Sequence, residues 1–439
     1  MNNKKKGWAL IPAAVFLVLY LGLGITFEYV FKIEMGFYNI PIVVIFMISV
    51  FVACLQNRKV SFDEKLNIMA KGIGDKNILT MILIFLCAGM FVGVTGRDSA
   101  QAVAYMMLSI TPAWMSVAIL FIVACFVSLS MGTSCGTITL LVPIAAAVSK
   151  ASGYDISFCI GSVMGGAMFG DNLSFISDTT IAACNTQGCK MKDKFRANFK
   201  IALPAAILTL IIIIFISLRG NVGQVAVQNY NIVMLIPYVL VLVGGLIGFN
   251  VFIVLLTGIA SGIFINLVTG TTTFYKLLTN MGSGVSGMYE TIMVTLLVAA
   301  LCAIIRHNGG FDALLAFIKK VFKGNKGGQL GMGLLVGVMD IATANNTVAI
   351  VMAGPVAKEI SKDYKISPKR AASILDTFSC VFQGILPYGA QMLLALAAAT
   401  ECGYKLSAFN IMPKLFYPFL LAAISLIYIL FSKKEKITI

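Results

Sequence analysis

Residues 170–180 read Gly-Asp-Asn-Leu-Ser-Phe-Ile-Ser-Asp-Thr-Thr, the densest polar run of the chain within an apolar context. They lie midway along an apolar stretch from about 157 to 189, which is too long for one straight crossing of a bilayer, since a crossing takes about 20 residues. Irregular backbone at membrane depth is tolerated only where protein or water surrounds it. The run therefore predicts a membrane helix that is broken at its polar centre.

The composition of the whole chain indicates a membrane protein. Of 439 residues, 59% are hydrophobic and only 12% are charged, whereas soluble domains carry about 25% charged residues. The apolar residues come in runs of roughly 18–20, the length of a transmembrane helix. We therefore predict an all-α polytopic protein with spans at about 8–26, 39–56, 77–95, 157–189, 199–218, 230–249, 250–268, 290–305, 368–400 and 409–431.

The positive charges orient these spans. Lys4, Lys5 and Lys6 place the N-terminus inside, and the basic loop 57–76, the segments 190–200 and 319–326, and the tail from Lys433 then fall on the same side. This predicts a multi-pass protein of the cytoplasmic membrane with both termini in the cytoplasm. The net charge of +15 lies in these short segments, which argues against nucleic-acid binding.

Two apolar stretches do not fit as spans. One runs from about 112 to 149 and is interrupted at 132–137, and the other runs from about 329 to 358 and is interrupted at 343–347. Roughly 30 residues in the second stretch are too few for two crossings, which would take about 40. Each stretch is predicted to form a re-entrant helical hairpin with a polar tip.

The two halves of the chain repeat. Ser61-Phe62 recurs as Thr273-Phe274, and Pro143 recurs as Pro355. The two members of each pair are separated by the same number of residues, and we call this separation the repeat offset. The repeat partner of the break at 170–180 is the segment 383–389, where Gly and Pro again favour unwinding. We predict two repeats, 1–222 and 223–439, each with five spans, one hairpin and one broken helix. An odd number of spans inverts the second repeat, and such transporters bind their substrate near the midplane, where interrupted helices meet.

The polar run supplies the candidate ligands. Asp171 and Asp178 are carboxylates at predicted membrane depth, where a charge is costly and indicates function. Such a carboxylate can hold either a proton or Na⁺, and both residues are predicted Na⁺ ligands. Oxygen ligands could also come from Asn172, Ser174 and Ser177 in the run and from Thr133 and Ser134 at the first tip. Alternatively, either Asp could cap a half-helix or pair with a lysine of the cytoplasmic segment.

The second half offers further candidates. Asn345, Asn346 and Thr347 form the other tip, where they could bind an ion or simply satisfy free backbone groups. Asp340, Asp376 and Gln383 are secondary candidates for binding a proton or an ion, because they lie near the second hairpin tip and break.

The run 132–137, the run 170–181 and the Ala-Asn-Asn-Thr tip together resemble the signature of the NhaC-type sodium/proton antiporter family, and the likeness extends through essentially the whole chain. The resemblance implies inverted repeats with re-entrant hairpins. It also implies site roles for Asp171, Ser174, Ser177, Asp178 and Thr179, and a homodimer with a scaffold and a moving transport part.

These features favour a secondary active antiporter that exchanges Na⁺ for H⁺, with no cofactor. The alternative is a transporter of the same fold that couples Na⁺ to an amino acid or a small organic acid. An enzyme is disfavoured, because the single histidine, His307, leaves no His-Glu-x-x-His motif. A channel is disfavoured by the two hairpins and the inverted halves.

Overall fold

A computed structural model describes residues 7–33, 40–174, 177–219, 231–247 and 249–431. Within these residues it contains twenty α-helices and no strand, which confirms the predicted all-α class. Four parts of the predicted organisation lie outside the described residues: the lysines at 4–6, residues 175 and 176 of the polar run, the tail from Lys433, and the boundary between the halves at 222/223.

Nine helices precede this boundary: α1 (Ile11–Ile25), α2 (Ile42–Leu55), α3 (Phe62–Ile73), α4 (Lys76–Ile110), α5 (Ser116–Met131), α6 (Ser134–Ser152), α7 (Ile156–Leu173), α8 (Asp178–Gln187) and α9 (Met191–Arg219). The described residues after it form α10 (Ile236–Ile247), α11 (Val251–Val268), α12 (Phe274–Gly287), α13 (Tyr289–His307), α14 (Gly310–Val321), α15 (Gly324–Thr343), α16 (Asn346–Asp363), α17 (Pro368–Ile385), α18 (Ala390–Glu401), α19 (Ala408–Ile411) and α20 (Phe416–Phe431).

The helices and their outer surface suit a bilayer. By length and composition, six helical segments of the described chain could cross a membrane, or seven if the bent pair Ala408–Lys414 and Phe416–Phe431 is one span. Large apolar side chains such as Val18 and Phe51 are exposed, as lipid-facing residues must be. The protein is a multi-pass membrane protein, and the figure of ten spans stays a prediction because several apolar helices, such as Ile42–Leu55, are shorter than 18 residues.

The basic segment 57–76 is not the loop that its charges indicated. It contains α3, which starts where the Ser61 hydroxyl accepts a hydrogen bond from the Glu64 backbone N–H (3.2 Å). The Ser-x-x-Glu spacing is a helix-start signal that the charge pattern obscured. The segment 190–200 likewise forms the first turns of α9. The predicted loop 57–76 is thus corrected to a segment that contains a helix, whereas for 190–200 only the cytoplasmic side was predicted.

The helices are interrupted at the predicted positions. The apolar stretch 157–189 forms α7 followed by α8, and the break at 383–389 separates α17 from α18. The turn between α5 and α6 passes through Gly132 (φ 68°) and that between α15 and α16 through Ala344 (φ 48°). Left-handed backbone costs a residue with a Cβ about 1–2 kcal/mol, so the second tip holds local strain.

The bounds of the second hairpin differ from the predicted 329–358. Its arms are α15, with 20 residues, and α16, with 18, and each is about as long as a bilayer crossing at 1.5 Å per residue. The stretch is therefore long enough for two crossings, contrary to the prediction, but neither arm is among the helices of the described chain that are both long and apolar enough to cross a membrane. Its re-entrant character stays a prediction.

Corresponding boundaries in the two halves are separated by the repeat offset. This holds for the starts of α3 and α12 (Phe62 and Phe274), for the residues that cap the tips (Thr133 and Asn345), and for the ends of α7 and α17 (Leu173 and Ile385). The match of helix ends supports the repeat read from the sequence. The inversion of one half relative to the other stays a prediction.

The halves interleave in the core. Two hydrophobic clusters lie within the described chain, and each contains residues of both halves. Helix α8 packs against α16, and α18 packs against α6. Each broken helix therefore extends into the opposite half, which brings the tips and the breaks together.

The close crossing of α4 and α12 allows a stability prediction. A Cβ added at Gly284 would meet the Gly89 backbone and lie 3.2 Å from the Gly93 nitrogen, whereas one at Gly282 would have nothing within 4 Å. Gly284→Ala should cost about 1–3 kcal/mol through overpacking, and Gly282→Ala should be neutral or slightly stabilising because alanine favours helix. Thermal unfolding in detergent measures both; equal midpoints would contradict the packing argument.

Candidate functional site

Asp171 occupies the last turn of α7, directly before the break. Its side chain is buried and accepts hydrogen bonds from two hydroxyl groups, Ser134 Oγ at 2.8 Å and Ser177 Oγ at 2.5 Å. Ser134 is the first residue of α6, and Ser177 precedes the first residue of α8. One carboxylate thus joins the first hairpin tip to both sides of the break.

The network continues into the second half. Gln391, at the start of α18, donates from Nε2 to Ser134 Oγ (2.7 Å), and Ser177 Oγ shares a hydrogen bond with Thr179 Oγ1 (2.8 Å). Gln391 is 1% exposed. The first hairpin, both breaks and the carboxylate therefore form one connected group.

The second hairpin tip is held by hydrogen bonds between side chains and the backbone. Asn345 caps α16 by accepting from the Val348 N–H (3.0 Å), and Asn346 Oδ1 accepts from the Thr347 N–H (3.0 Å). Gln383, near the end of α17, donates from Nε2 to the Ala344 carbonyl (3.0 Å). Asn345 thus satisfies a free backbone group, one of the two roles that the sequence left open for it. Thr133, predicted only as an oxygen ligand, caps α6, because its hydroxyl accepts from the Gly136 N–H (3.4 Å).

The tips and breaks enclose a cavity of about 90 Å³, which we call the site cavity. Its polar lining includes most of the predicted residues: Thr133, Ser134, Asp171, Ser177, Asp178, Thr179, Asn345, Asn346, Thr347 and Gln383, together with Gln391. Both tips and both breaks thus surround one cavity, as the sequence analysis expected. That these residues bind an ion stays a prediction.

The charge of the site cavity is negative. The residues that line it include two carboxylates, Asp171 and Asp178. No Lys, Arg or His of the described chain lines it. Four helix N-termini (α6, α8, α16 and α18) and four C-termini (α5, α7, α15 and α17) meet here, so their partial charges of opposite sign nearly cancel. The carboxylates therefore decide the sign, and the site suits a cation.

The two carboxylates differ in their surroundings. Asp171 is buried, whereas Asp178 is exposed and lies in the first turn of α8. A negative charge there is stabilised by the helix N-terminus, which matches the alternative that Asp178 opens a helix. Asp171 is the better placed of the two to hold a dehydrated cation.

Other predicted residues lie away from the site cavity. Asn172 Oδ1 accepts from Asn198 Nδ2 on α9 (2.5 Å), and Ser174 is buried at the end of α7. Asp340 is fully buried on α15, and Asp376 is buried on α17. None of these four is among the cavity-lining residues.

Asp376 pairs with a lysine that the sequence analysis placed in a cytoplasmic segment. Lys194 Nζ lies 2.6 Å from Asp376 Oδ2, and each side chain is 1% exposed. The same ammonium donates to the Asn172 carbonyl (2.8 Å) and to Thr180 Oγ1 (2.7 Å). Lys194 therefore ties the end of α7 and the start of α8 to α17, across the two halves.

Lys194, Asn198 and Gln391 were missed by the sequence analysis. Lys194 and Asn198 are four residues apart, so they share one face of α9, and this face continues in buried Ala202 and Ala205. Gln391 is the counterpart of Thr179 by the repeat offset. Helical periodicity indicates the first two residues, and the repeat offset indicates the third.

Interrupted apolar helices that meet at a buried carboxylate are typical of helical membrane transporters. More specifically, the chain belongs to the Na⁺/H⁺ antiporter family, whose sequence profile matches residues 4–218 and 222–433. Secondary active Na⁺/H⁺ antiport is the activity of this family, and the predicted resemblance is confirmed.

Individual relatives are distant. The chain is 24% identical over 375 residues to an uncharacterized Na⁺/H⁺ antiporter of Haemophilus influenzae, covering 75% of this chain and 79% of the relative. It is 22% identical over 413 residues to the Na⁺/H⁺ antiporter NhaC of Alkalihalophilus pseudofirmus, covering 85% and 87%. It is 26% identical over 250 residues to a malate-2H⁺/Na⁺-lactate antiporter of Bacillus subtilis, covering 53% and 52%.

Proposed function

We propose that the protein exchanges Na⁺ for H⁺ by alternating access and that Asp171 is the residue that binds the two ions in turn. The observation that carries this proposal is the buried Asp171 carboxylate at the point where both tips and both breaks meet. A carboxylate binds a proton or a cation but not both at once, so occupancy by one ion requires release of the other.

The dimensions of the site cavity favour a small ion. A volume of about 90 Å³ lies well below the roughly 300–1,000 Å³ of sites for drug-sized ligands. The carboxylate and hydroxyl oxygens are hard ligands of the kind that small cations prefer. Ser134 and Ser177, which now donate to Asp171, could each turn a lone pair toward a bound Na⁺.

A chain of cavities supports alternating access. A larger cavity of about 920 Å³, which we call the vestibule, lies between α3 and α13 and reaches Thr343. A third cavity of about 10 Å³ shares Ile78 and Thr343 with the vestibule and Asn345 and Ala390 with the site cavity. A water molecule needs about 10–15 Å³, so this throat is closed to a hydrated ion.

The vestibule supports a second candidate function. Its lining includes Arg306, His307 and Lys71 beside Glu64 and Asp75, a set of charges that could hold an organic acid or an amino acid. The Bacillus subtilis relative is named as an exchanger of such acids. Unfolding temperatures distinguish the two candidate functions. Na⁺ alone should raise the unfolding temperature of a Na⁺/H⁺ exchanger, and an organic solute should raise it further only if the protein transports that solute.

The arrangement in the membrane belongs to the same proposal. We place the two halves as inverted repeats with re-entrant hairpins in the cytoplasmic membrane, with both termini in the cytoplasm and two chains in a homodimer. The charge distribution of the loops supports the orientation. With this orientation the vestibule opens to the cytoplasm, because the 57–76 segment lines it.

The proposal is tested with the protein in proteoliposomes that contain a pH-sensitive dye. An external Na⁺ pulse without other solutes should make the interior alkaline, saturably with Na⁺ concentration. Protein-free vesicles are the control. Absence of a response, followed by a response to small carboxylates or amino acids in the presence of Na⁺, would replace this proposal with the second candidate.

The hydroxyl groups around Asp171 should affect the Na⁺ concentration for half-maximal exchange more than the exposed carboxylate of Asp178 does. A hydrogen bond to a charged group is worth about 1.5–3 kcal/mol, so Ser177→Ala should change the Na⁺ concentration for half-maximal exchange by roughly 10- to 100-fold. Asp178→Asn removes an exposed charge worth at most about 1 kcal/mol and should change it less than about fivefold. Dye-monitored exchange over a Na⁺ series measures both, and the reverse order would shift the ion site toward Asp178.

A further inference from the structure

Asp340 is a buried carboxyl group that the exchange at Asp171 does not use. It lies one turn before the end of α15 and is 0% exposed. Neither of its carboxyl oxygens accepts a hydrogen bond of regular geometry from the described residues, and the Ser379 side chain is its polar neighbour. A buried carboxylate in such surroundings costs several kcal/mol. The group is therefore neutralised by a bound proton or a bound cation.

The surroundings of Asp340 suit a proton. The Ser379 side chain faces it from α17, with its hydroxyl directed to the Asn346 carbonyl at 3.4 Å. Asp340 lines none of the three cavities described above. A Na⁺ ion needs space and several oxygen ligands, whereas a proton needs neither, so the geometry favours H⁺.

Gln383 connects Asp340 with the site cavity. It lies one turn after Ser379 on the same face of α17, and it lines the site cavity. Its Oε1 is buried without a donor while its Nε2 holds the Ala344 carbonyl (3.0 Å). Ser379 and Gln383 therefore place polar side chains on one face of α17, from the side of Asp340 to the site cavity.

The other half shows that packing does not require a carboxyl group here. By the repeat offset, Asp340 and Ser379 correspond to Ser128 and Ala167. Ser128 Oγ donates to the Ala167 carbonyl at 2.5 Å, so this position in the first half forms a hydrogen bond between two neutral groups. The second half has a titratable group at the position where the first half has a serine.

Two of the three buried carboxyl groups, those of Asp171 and Asp340, have no positively charged side chain as a partner among the described residues. Asp376 is paired with Lys194, whereas Asp171 has only hydroxyl partners and Asp340 has only the facing Ser379 side chain. Arg370, also buried on α17, donates to Gln329, which lies eleven residues and about 16 Å along α15 from Asp340. Cys380 and Tyr388 interact electrostatically with Asp340, and neither supplies a positive charge.

We propose that Asp340 is a second proton-binding site, separate from the ion site at Asp171, and that each cycle exchanges two H⁺ for one Na⁺. This inference rests on the proposed Na⁺/H⁺ exchange. Asp340 holds its proton in the conformation described here and releases it in the conformation of the cycle that binds Na⁺ at Asp171. After release of Na⁺ both carboxyl groups take up protons. The exchange therefore moves net charge.

The stoichiometry can be measured from the pH gradient at which a fixed Na⁺ gradient no longer drives net exchange. A tenfold Na⁺ gradient and one pH unit correspond to the same free energy. At zero membrane potential, set with potassium and valinomycin, a tenfold Na⁺ gradient should be balanced by about half a pH unit in two-for-one exchange and by about one unit in one-for-one exchange. We expect about half a unit for the unaltered protein and about one unit for Asp340→Asn.

A second variant guards against loss of folding. The double variant Asp340→Ser/Ser379→Ala copies the neutral pair of the first half, so it should fold and balance at about one unit, independently of membrane potential. Balance at about one unit in the unaltered protein, or at half a unit in either variant, would overturn the proposal, as would failure of both variants to fold. Failure of the Na⁺/H⁺ function itself is distinct, because then no Na⁺-dependent pH change occurs at all.

Discussion

Asp171→Asn is expected to reduce Na⁺-driven proton movement to the level of protein-free vesicles. The substitution keeps the shape of the side chain, and the amide oxygen can still accept a hydrogen bond from Ser134 or Ser177. It removes the charge that holds Na⁺ and the group that takes up H⁺. Removing one partner of a buried charge interaction costs about 3–5 kcal/mol, which corresponds to more than about a hundredfold loss.

Asp155→Asn is the matched control, since it makes the same chemical change at the other end of the same helix. Asp155 caps α7, where its carboxylate accepts from the Ser157 N–H at 3.3 Å, and asparagine caps a helix about equally well. Exchange by this variant should equal that of the unaltered protein. Exchange that persisted in Asp171→Asn, with the control also active, would remove Asp171 from the ion site.

The interruptions could be predicted because they depend on local chemistry. A polar run such as 170–180 within an apolar stretch leaves few alternatives to a broken helix, since the bilayer does not solvate free backbone groups. Gly132 at the first tip adopts the left-handed backbone that glycine allows. The repeat then located the corresponding features of the second half, including the tip at Asn345.

Helix ends and partners across the halves could not be predicted in the same way. The basic residues of 57–76 indicated a loop, although Ser61 and Glu64 also form a helix-start pattern, and the charge pattern alone did not decide between them. The partner of Lys194 is Asp376 on α17, in the other half of the chain. Only the packing of the two halves brings the two residues together, and one sequence does not record that contact.

Breaking the Lys194–Asp376 pair should lower the free energy of unfolding more than Gly284→Ala does. Removing one partner leaves the other charge buried and unpaired, so Lys194→Met and Asp376→Leu should each cost about 3–5 kcal/mol, whereas replacing both by apolar residues is often nearly neutral. Unfolding in detergent of the two single variants and the double variant measures the coupling between the residues. A double variant that lost as much stability as the sum of both single variants would contradict this expectation.

The same double variant also separates the pair from ion transport. Neither Lys194 nor Asp376 lines the site cavity, and the lysine is held by the Asn172 carbonyl, Thr180 and Asp376. Because these contacts join α7, α8 and α17, we expect the pair to fix the break rather than to carry ions. The double variant should therefore keep Na⁺-driven exchange and the same gradient at balance. A double variant of normal stability without exchange would instead place Lys194 and Asp376 within the transport chemistry.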